Sequence, residues 1–523
     1  VQEQGVGRSE KPQLPYTGGL TDSYFPMPYF TDPAKGKGFL LKNSEFSRFE
    51  LCTRDKNEWS VEVWGARNVS FAVFAGPKPS DVVKELTAET GRPKTVPPDW
   101  AMSGVWLAAQ GGMEAVKQRV AAALGAGIPV SAVWVQDWVG RRHFGGGNYG
   151  VKYKWTYDEE YYPGLRNYIA ELKKRNVRFL GYFNPFILPE FDQFKEAAAN
   201  DYIVRDKTGA PFIFQIITFK GGLLDVSNPQ AGEWFKSYAR KAIDMGMSGW
   251  MADFGEWLPY DSQITAGDSR TFHNLYTTRW HRLNREALED RLGADFVMFT
   301  RSGFTGEQGT AQIVWAGDQE ADWTETDGIP TVVTAALSIG LSGIPYFTCD
   351  IAGFSGGPSG KELFMRWAEL GAFMPVMRTH DGLQKLKNHR FDTDVETLAH
   401  FKKFAVIHSL LLPYFKTLAE EAKRTGLPII RHTALVDPGW KESYAADKQW
   451  MIGSDILFAP VVEQGAENVQ VSFPKGEWEN LFTGERFAGR EVRTVSAPIG
   501  RPAVFVRNGK LKGILKNIRK AGF

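Results

Sequence analysis

The sequence predicts an α/β chain, a (β/α)8 TIM barrel flanked by β structure on both sides, and three observations carry that expectation. Between about residues 86 and 425, short apolar runs alternate with amphipathic helical stretches. Alternation of this kind means a parallel sheet, and eight units favour a closed barrel. Nearly every apolar run ends in a polar or aromatic residue, as barrel strands do at the end that carries chemistry. Before and after this region the chain changes to short alternating segments punctuated by Gly and Pro. The expected division is a partial N-terminal β-sandwich over 1–85, a catalytic barrel over 86–425 and a C-terminal β domain over 426–523.

In the first region, 39–41, 49–52 and 59–64 read as strands. These are too few to close a sandwich, so their edges need further pairing. Neighbouring sequence or a second chain is expected to supply it. The barrel strands are expected at 104–109, 132–136, 178–184, 249–253, 296–301, 313–315 and 344–350, with an irregular eighth at 373–380. Helices are expected at 112–124, 165–175, 231–245, 278–292 and 331–340, with 396–412 and 418–424 completing the ring. The last region reads as strands at 429–435, 456–462, 469–473 and 503–507.

Composition narrows the function classes. A length of 523 residues exceeds one ordinary domain. The formal net charge of +2 gives no reason to expect nucleic acid or an anionic membrane surface as a partner. No apolar run is long enough to span a bilayer. Cys52 and Cys349, the two cysteines, make neither a disulfide framework nor a zinc site, and so few of them lean toward a cytoplasmic setting. The eight His show no HExxH and no ligand-like grouping, so no metal or other cofactor is expected. Aromatic residues make up 13% of the chain, which leans toward a sugar-binding cleft.

The chemistry gathers at the strand ends. An apolar run stops at Asp253 and is followed by Phe254, Gly255, Glu256 and Trp257. A second acidic stretch runs Trp315, Ala316, Gly317, Asp318, Gln319. Two carboxylates at barrel strand ends are the minimum equipment for glycoside hydrolysis. One must stay ionised, which a nearby cation such as Arg301 or Arg378 favours. The other must hold a proton, which an apolar flank of Trp315 and Trp323 would favour around Asp318. The residues alone leave the two roles open. Gln110, Gln136, Asp137, Arg301, Asp350 and His380 complete a ring of strand-end polar groups. Burial of such groups is unfavourable unless they bond something, which suits a polyhydroxylated ligand.

These residues resemble glycoside hydrolase family 31, retaining α-glycosidases on a (β/α)8 barrel, and within it the sulfoquinovosidase branch. The likeness rests on Glu3–Gln4–Gly5–Val6–Gly7–Arg8, Gln110–Gly111–Gly112, Gln136–Asp137–Trp138, the run from Trp250 to Glu256, Trp315 to Gln319, Cys349 to Gly353, and Arg378–Thr379–His380. The resemblance implies Asp253 as nucleophile and Asp318 as general acid/base. It implies Gln110, Gln136, Asp137, Trp250, Arg301, Trp315, Asp350 and His380 as sugar-binding residues. Where that branch grips a sulfonate with Arg, Trp and Tyr, this chain holds Asn148, Val151 and Phe354. The expected substrate is therefore a small-molecule α-glycoside with a neutral terminal hexose, such as an α-glucoside or α-galactoside. The alternatives are a sulfoquinovosidase whose anion site is rebuilt from Arg141, Arg142, Lys152 or Lys154, and a non-catalytic carbohydrate-binding relative. The intact carboxylate pair disfavours the last.

Overall fold

A computed structural model describes residues 23–145, 148–216 and 219–523. The Gln4–Arg8 motif lies outside the described residues.

Eight parallel strands form the barrel: Val105–Ala108, Val130–Trp134, Arg178–Phe183, Gly249–Ala252, Val297–Thr300, Ile313–Trp315, Phe347–Thr348 and Met377–Arg378. The first seven pair in order in the parallel sense, and the eighth pairs with the first. A bridge between Ile351 and Thr379 joins the seventh to the eighth and closes the ring. Almost every strand residue is buried, as expected of strands covered on both faces. The fourth strand opens at Gly249 because nothing larger fits. Its φ is +145°, and a Cβ there would stand 1.8 Å from the carbonyl oxygen of Val297.

The surrounding helices follow the expected spacing with differences at their ends. Pro229–Asp244 starts at an Asn228 cap, and Ser269–Leu292 starts at an Asp268 cap, nine residues ahead of the expected start. Lys361–Ala372 is a helix the pattern did not indicate. Its residues 363–372 are all buried, Arg366 and Glu369 included, and these two pair with each other at 3.1 Å. The fifth and sixth strands are joined without an α-helix, through the short turn Glu307–Gly309.

Before the barrel, Tyr29–Asp32, Lys37–Leu41 and Phe71–Ala75 form an antiparallel sheet, and Ser47–Leu51 pairs separately with Trp59–Val63. Helix Pro79–Thr90 covers one side of the sheet with Val82 and Leu86 against Leu40 and Phe74. The other side leaves Phe71 and Val73 more than half exposed.

After the barrel lies a six-stranded antiparallel sheet with a separate two-stranded ladder, Asn468–Phe473 with Glu491–Ser496. The strand expected at 429–435 shrinks to Ile430–Arg431, because the His432 side chain accepts from the Ala434 N–H and starts a turn. One large apolar core unites the barrel, its helices and the near face of the C-terminal sheet, where Trp450 and Phe458 take part. No helix among the described residues is long and apolar enough to cross a membrane.

Candidate active site

The fourth strand ends at Asp253, whose N–H donates to the Phe183 carbonyl on the third strand. The chain then turns sharply. Phe254 has φ +60°, an uncommon value for a bulky residue, and this conformation lets its N–H donate to Asp253 Oδ1 at 2.8 Å. Tyr182 Oη donates to the other oxygen, Oδ2, at 2.6 Å. The Trp280 indole holds the Asp253 carbonyl. The carboxylate is thus fixed by neutral donors and has a cation beside it.

That cation is Arg301, one residue past the fifth strand. Its side chain is 1% exposed and touches three carboxylates. Nε lies 3.4 Å from Asp253 Oδ1, Nη2 bonds Glu256 Oε1 at 2.8 Å, and Nη1 bonds Asp318 Oδ2 at 2.9 Å. Two aromatic faces sandwich the guanidinium, Phe254 at 4.4 Å and Tyr24 at 4.5 Å. Since both contact one planar guanidinium, the carboxylate oxygens of Asp253 and Asp318 are no more than about 9 Å apart. Asp318 is the most open of the three, its side chain 14% exposed against 8% for Asp253 and 6% for Glu256. Burial raises the Glu256 carboxyl above its ordinary range, against the pull of Arg301.

Trp315 and Trp323 were expected to hold a proton on Asp318 through an apolar flank. The structure gives Asp318 an ionic partner instead. Protonation here is a property of the whole cluster. Three carboxyls share one guanidinium in a buried site, and that excess of negative charge favours taking up a proton.

The seventh and eighth strands supply the next group. Asp350 lies 2.5 Å from Arg378 Nη2, both fully buried. Burial lifts the Asp350 carboxyl to about 7, opposed by Arg378. Arg378 is roofed by the rings of Trp134, Phe299 and Trp315 at 4.9, 5.0 and 5.5 Å. His380 packs edge-on against Trp134 and Phe354 at 4.8 Å each. Its Nδ1 accepts from the Gly382 N–H, so the neutral ring carries its proton on Nε2 and can donate to a hydroxyl. Burial, then Arg378 and Lys385, push its basicity well below the ordinary histidine value.

The first and second strands complete the ring. Gln110 Nε2 donates to Gln136 Oε1 at 2.8 Å. Asp137 is fully buried, accepting from the Gly111 N–H at 3.0 Å and from Tyr162 Oη. Burial raises its carboxyl to about 6. It pins the Gly111 turn rather than facing the opening.

Besides Asp137, two more of the expected sugar contacts stand elsewhere. Trp250 is fully buried on the outer face of its strand, with its indole on Asn284 Oδ1 at 2.8 Å and its ring against Phe183. Side chains alternate along a strand, so Trp250 cannot share a face with Asp253. Trp315 is 2% exposed and lies in the aromatic roof over Arg378. Conversely, Tyr24, Tyr182, Tyr153 and Lys385 stand among these groups without having been singled out from the sequence. Tyr24 sits so close over Gly317 that a Cβ there would stand 2.2 Å from its ring. Among the described residues no group of three His, Cys, Asp or Glu is arranged to hold a metal.

This geometry meets its relatives in three comparisons. Residues 94–418 match the model of the glycosyl hydrolases family 31 TIM-barrel domain, and 426–511 match that of the family 31 C-terminal domain. The chain belongs to glycosyl hydrolase family 31. It is 35% identical to a sulfoquinovosidase of Escherichia coli K12, over 97% of this chain and 76% of that one. It is also 35% identical to a sulfoquinovosidase of Agrobacterium fabrum, over 97% and 77%. The solved family 31 sulfoquinovosidase from E. rectale superposes with a TM-score of 0.92 at 30% identity, covering 99% of this chain and 79% of that one.

Within this family 31 glycosidase, the four cations expected to rebuild an anion site already have partners. Arg142 pairs with Glu190 and stacks on Phe219 at 4.6 Å. Lys152 and Lys154 both meet Asp158, at 2.8 and 3.5 Å. Arg141 stacks on Tyr161 at 5.0 Å. Phe354 rests on His380, and the Asn148 side chain lies outside what is described.

Proposed function

We propose that this family 31 enzyme is a retaining exo-α-glycoside hydrolase, with Asp253 as nucleophile and Asp318 as general acid/base. The observation that carries the reading is the shared Arg301 contact, which sets both carboxylates around one point at the barrel mouth. In the first step an Asp253 oxygen attacks the anomeric carbon. The bond to the departing oxygen breaks, and Asp318 gives that oxygen its proton. In the second step Asp318 takes a proton from water, whose oxygen attacks the anomeric carbon and breaks the ester to Asp253. Arg301 links the steps. Once Asp253 is an uncharged ester, the guanidinium has two carboxylates left, so ionised Asp318 is better stabilised and acts as base. His380 Nε2–H and the Asp350–Arg378 pair bind sugar hydroxyls at the far side.

For the substrate, the departures at Asn148, Val151 and Phe354 favour a neutral α-hexoside. A second reading, a sulfonated hexoside, is favoured by the sulfoquinovosidases that align along nearly the whole chain. Turnover of a panel of 4-nitrophenyl α-glycosides, including the α-glucoside and the α-sulfoquinovoside, tests the function. Hydrolysis of at least one, with release of the α-anomer first, is the expected result. Release of the β-anomer first contradicts the retaining mechanism, and no hydrolysis of any contradicts the glycosidase reading.

A further inference from the structure

Tyr182 comes one residue before the end of the third strand and is level with Met251 of the fourth. Side chains two apart on a strand share a face, so Met251 and Asp253 point the same way, and Tyr182 reaches Asp253 from one step lower. Two indoles pin this stretch of backbone. Trp134 Nε1 donates to the Gly181 carbonyl at 3.2 Å, and Trp138 Nε1 to the Tyr182 carbonyl at 3.1 Å. The Tyr182 side chain is buried, with the Tyr153 ring beside it at a centroid distance of 6.3 Å. A fixed strand therefore delivers its hydroxyl to one atom, Asp253 Oδ2.

The two oxygens of Asp253 have different donors. Oδ1 takes the Phe254 N–H at 2.8 Å, a bond closed within one turn, and Oδ2 takes the Tyr182 hydroxyl at 2.6 Å. Arg301 Nε stands 3.4 Å from Oδ1 and has no hydrogen-bond acceptor among the described residues. The guanidinium attracts Asp253, but its short bonds go to Glu256 and Asp318. Tyr182 is thus the side chain that hydrogen-bonds the Asp253 carboxylate. Burial, then the charge of Asp253, push the Tyr182 hydroxyl well above the ordinary tyrosine value. It keeps its proton and holds it toward Asp253.

We infer that Tyr182 is a positioning residue for the second half of the reaction, its hydroxyl stabilising the charge that returns to Asp253 as the glycosyl ester breaks. The inference rests on the retaining mechanism proposed above. In the free enzyme Asp253 is an anion, and the hydroxyl makes a strong charge-assisted bond to it. In the ester Asp253 is neutral, and the bond is weaker. When water attacks, its oxygen bonds the anomeric carbon and its proton goes to Asp318. The bond from the anomeric carbon to Asp253 breaks, and its electron pair returns to the carboxylate. The transition states of both steps are oxocarbenium-like, so in each the carboxylate is largely ionised. Tyr182 therefore stabilises the first transition state about as much as the free enzyme before it, which leaves the first barrier unchanged. It stabilises the second transition state more than the ester before it, which lowers the second barrier.

Tyr182→Phe removes the hydroxyl and keeps the ring. The test compares it with the unaltered protein on the 4-nitrophenyl α-glucoside or α-sulfoquinovoside, whichever the unaltered protein cleaves, and on the 5-fluoro-α-glycosyl fluoride of the same sugar. The rate of inactivation by the fluoride reads the first step. The rate at which activity returns after the excess is removed reads the second. Tyr182→Phe is expected to be inactivated within about threefold of the parent rate and to recover about 10- to 100-fold more slowly, the size of a lost charged hydrogen bond. On the nitrophenyl glycoside kcat and KM are expected to fall together, with kcat/KM kept. Equal slowing of both steps means that the hydroxyl only holds the site in shape, and it overturns the inference. So does an unchanged recovery rate, or a variant that the fluoride no longer inactivates, because the inference requires the first step to survive. None of these three results touches the retaining mechanism. An unaltered protein that forms no ester with the fluoride overturns both.

Discussion

On the side of the mouth built by the fourth to sixth strands, Arg301 meets three carboxylates. On the side built by the eighth, first and second strands, each carboxylate holds its own donors: Asp381 has Arg119, and Asp137 has Tyr162 and the Gly111 N–H. The first side is left with surplus negative charge, while the carboxylates of the second are matched one by one. A surplus of one sign is unfavourable in a buried setting and is relieved by something that arrives. In the proposed mechanism that is a proton and then an electrophilic carbon. The barrel makes the separation possible because neighbouring strands present their ends side by side, while strands four apart face each other across the opening.

The comparison breaks most sharply at Asp253. Asp253→Asn is expected to lower kcat by about 10⁴-fold or more on every substrate, since an amide cannot form the glycosyl ester. Steady-state rates on an activated aryl glycoside check this, and residual activity within about 100-fold of the parent would move the nucleophile elsewhere.

Arg301→Met should come next. It leaves three buried carboxylates without their cation, at a cost of about 3–5 kcal/mol in stability. Burial already raises Glu256, and losing Arg301 raises it further. A carboxyl raised in the folded state is protonated there first, so its contribution is favourable at low pH and is lost as pH rises through the folded value. The deficit of Arg301→Met relative to the parent is therefore expected to be smallest in acid and to grow toward neutrality. Denaturant midpoints at several pH values measure it, and a deficit independent of pH would mean that the carboxylates are not what Arg301 serves.

Asp318→Asn sharpens the division of roles. Substrates with poor leaving groups should slow by about 10²–10⁴-fold, and those with activated aryl leaving groups far less. Equal slowing of a disaccharide and an aryl glycoside would assign the acid to another residue. The smallest effect is expected at Tyr24. Tyr24→Leu removes one aromatic face from Arg301, worth about 0.5–2 kcal/mol. A modest drop in Tm with a several-fold loss in kcat/KM is the predicted outcome, and an unchanged kcat/KM would show that the three carboxylates and Phe254 hold the guanidinium without Tyr24.

Much of this was legible in the sequence because buried parallel strands are unbroken apolar runs, and the residue that ends such a run stands at the barrel mouth. Asp253, Arg301 and Asp318 follow from that rule. Trp250 does not: alternation along its strand turns it outward, a periodicity the motif obscured. The expected flank of Trp315 and Trp323 treated neighbours in sequence as neighbours in space. The helix Lys361–Ala372 is passed over although Glu362, Arg366 and Glu369 stand at the helical period, because two of those polar residues are spent on a buried ion pair. Tyr24 was silent for another reason. It arrives from the segment before the barrel, and only the folded chain shows where that segment ends.

The central claim is that Asp253 attacks the sugar while Arg301 ties it to Asp318. The most direct measurement is the mass of the Asp253-bearing peptide after reaction with a 5-fluoro-α-glycosyl fluoride, which slows both steps and lets the ester accumulate. The account predicts one added fluorosugar, located on Asp253 by fragmentation and absent in Asp253→Asn. A label on any other residue, Glu256 or Asp318 included, would contradict it.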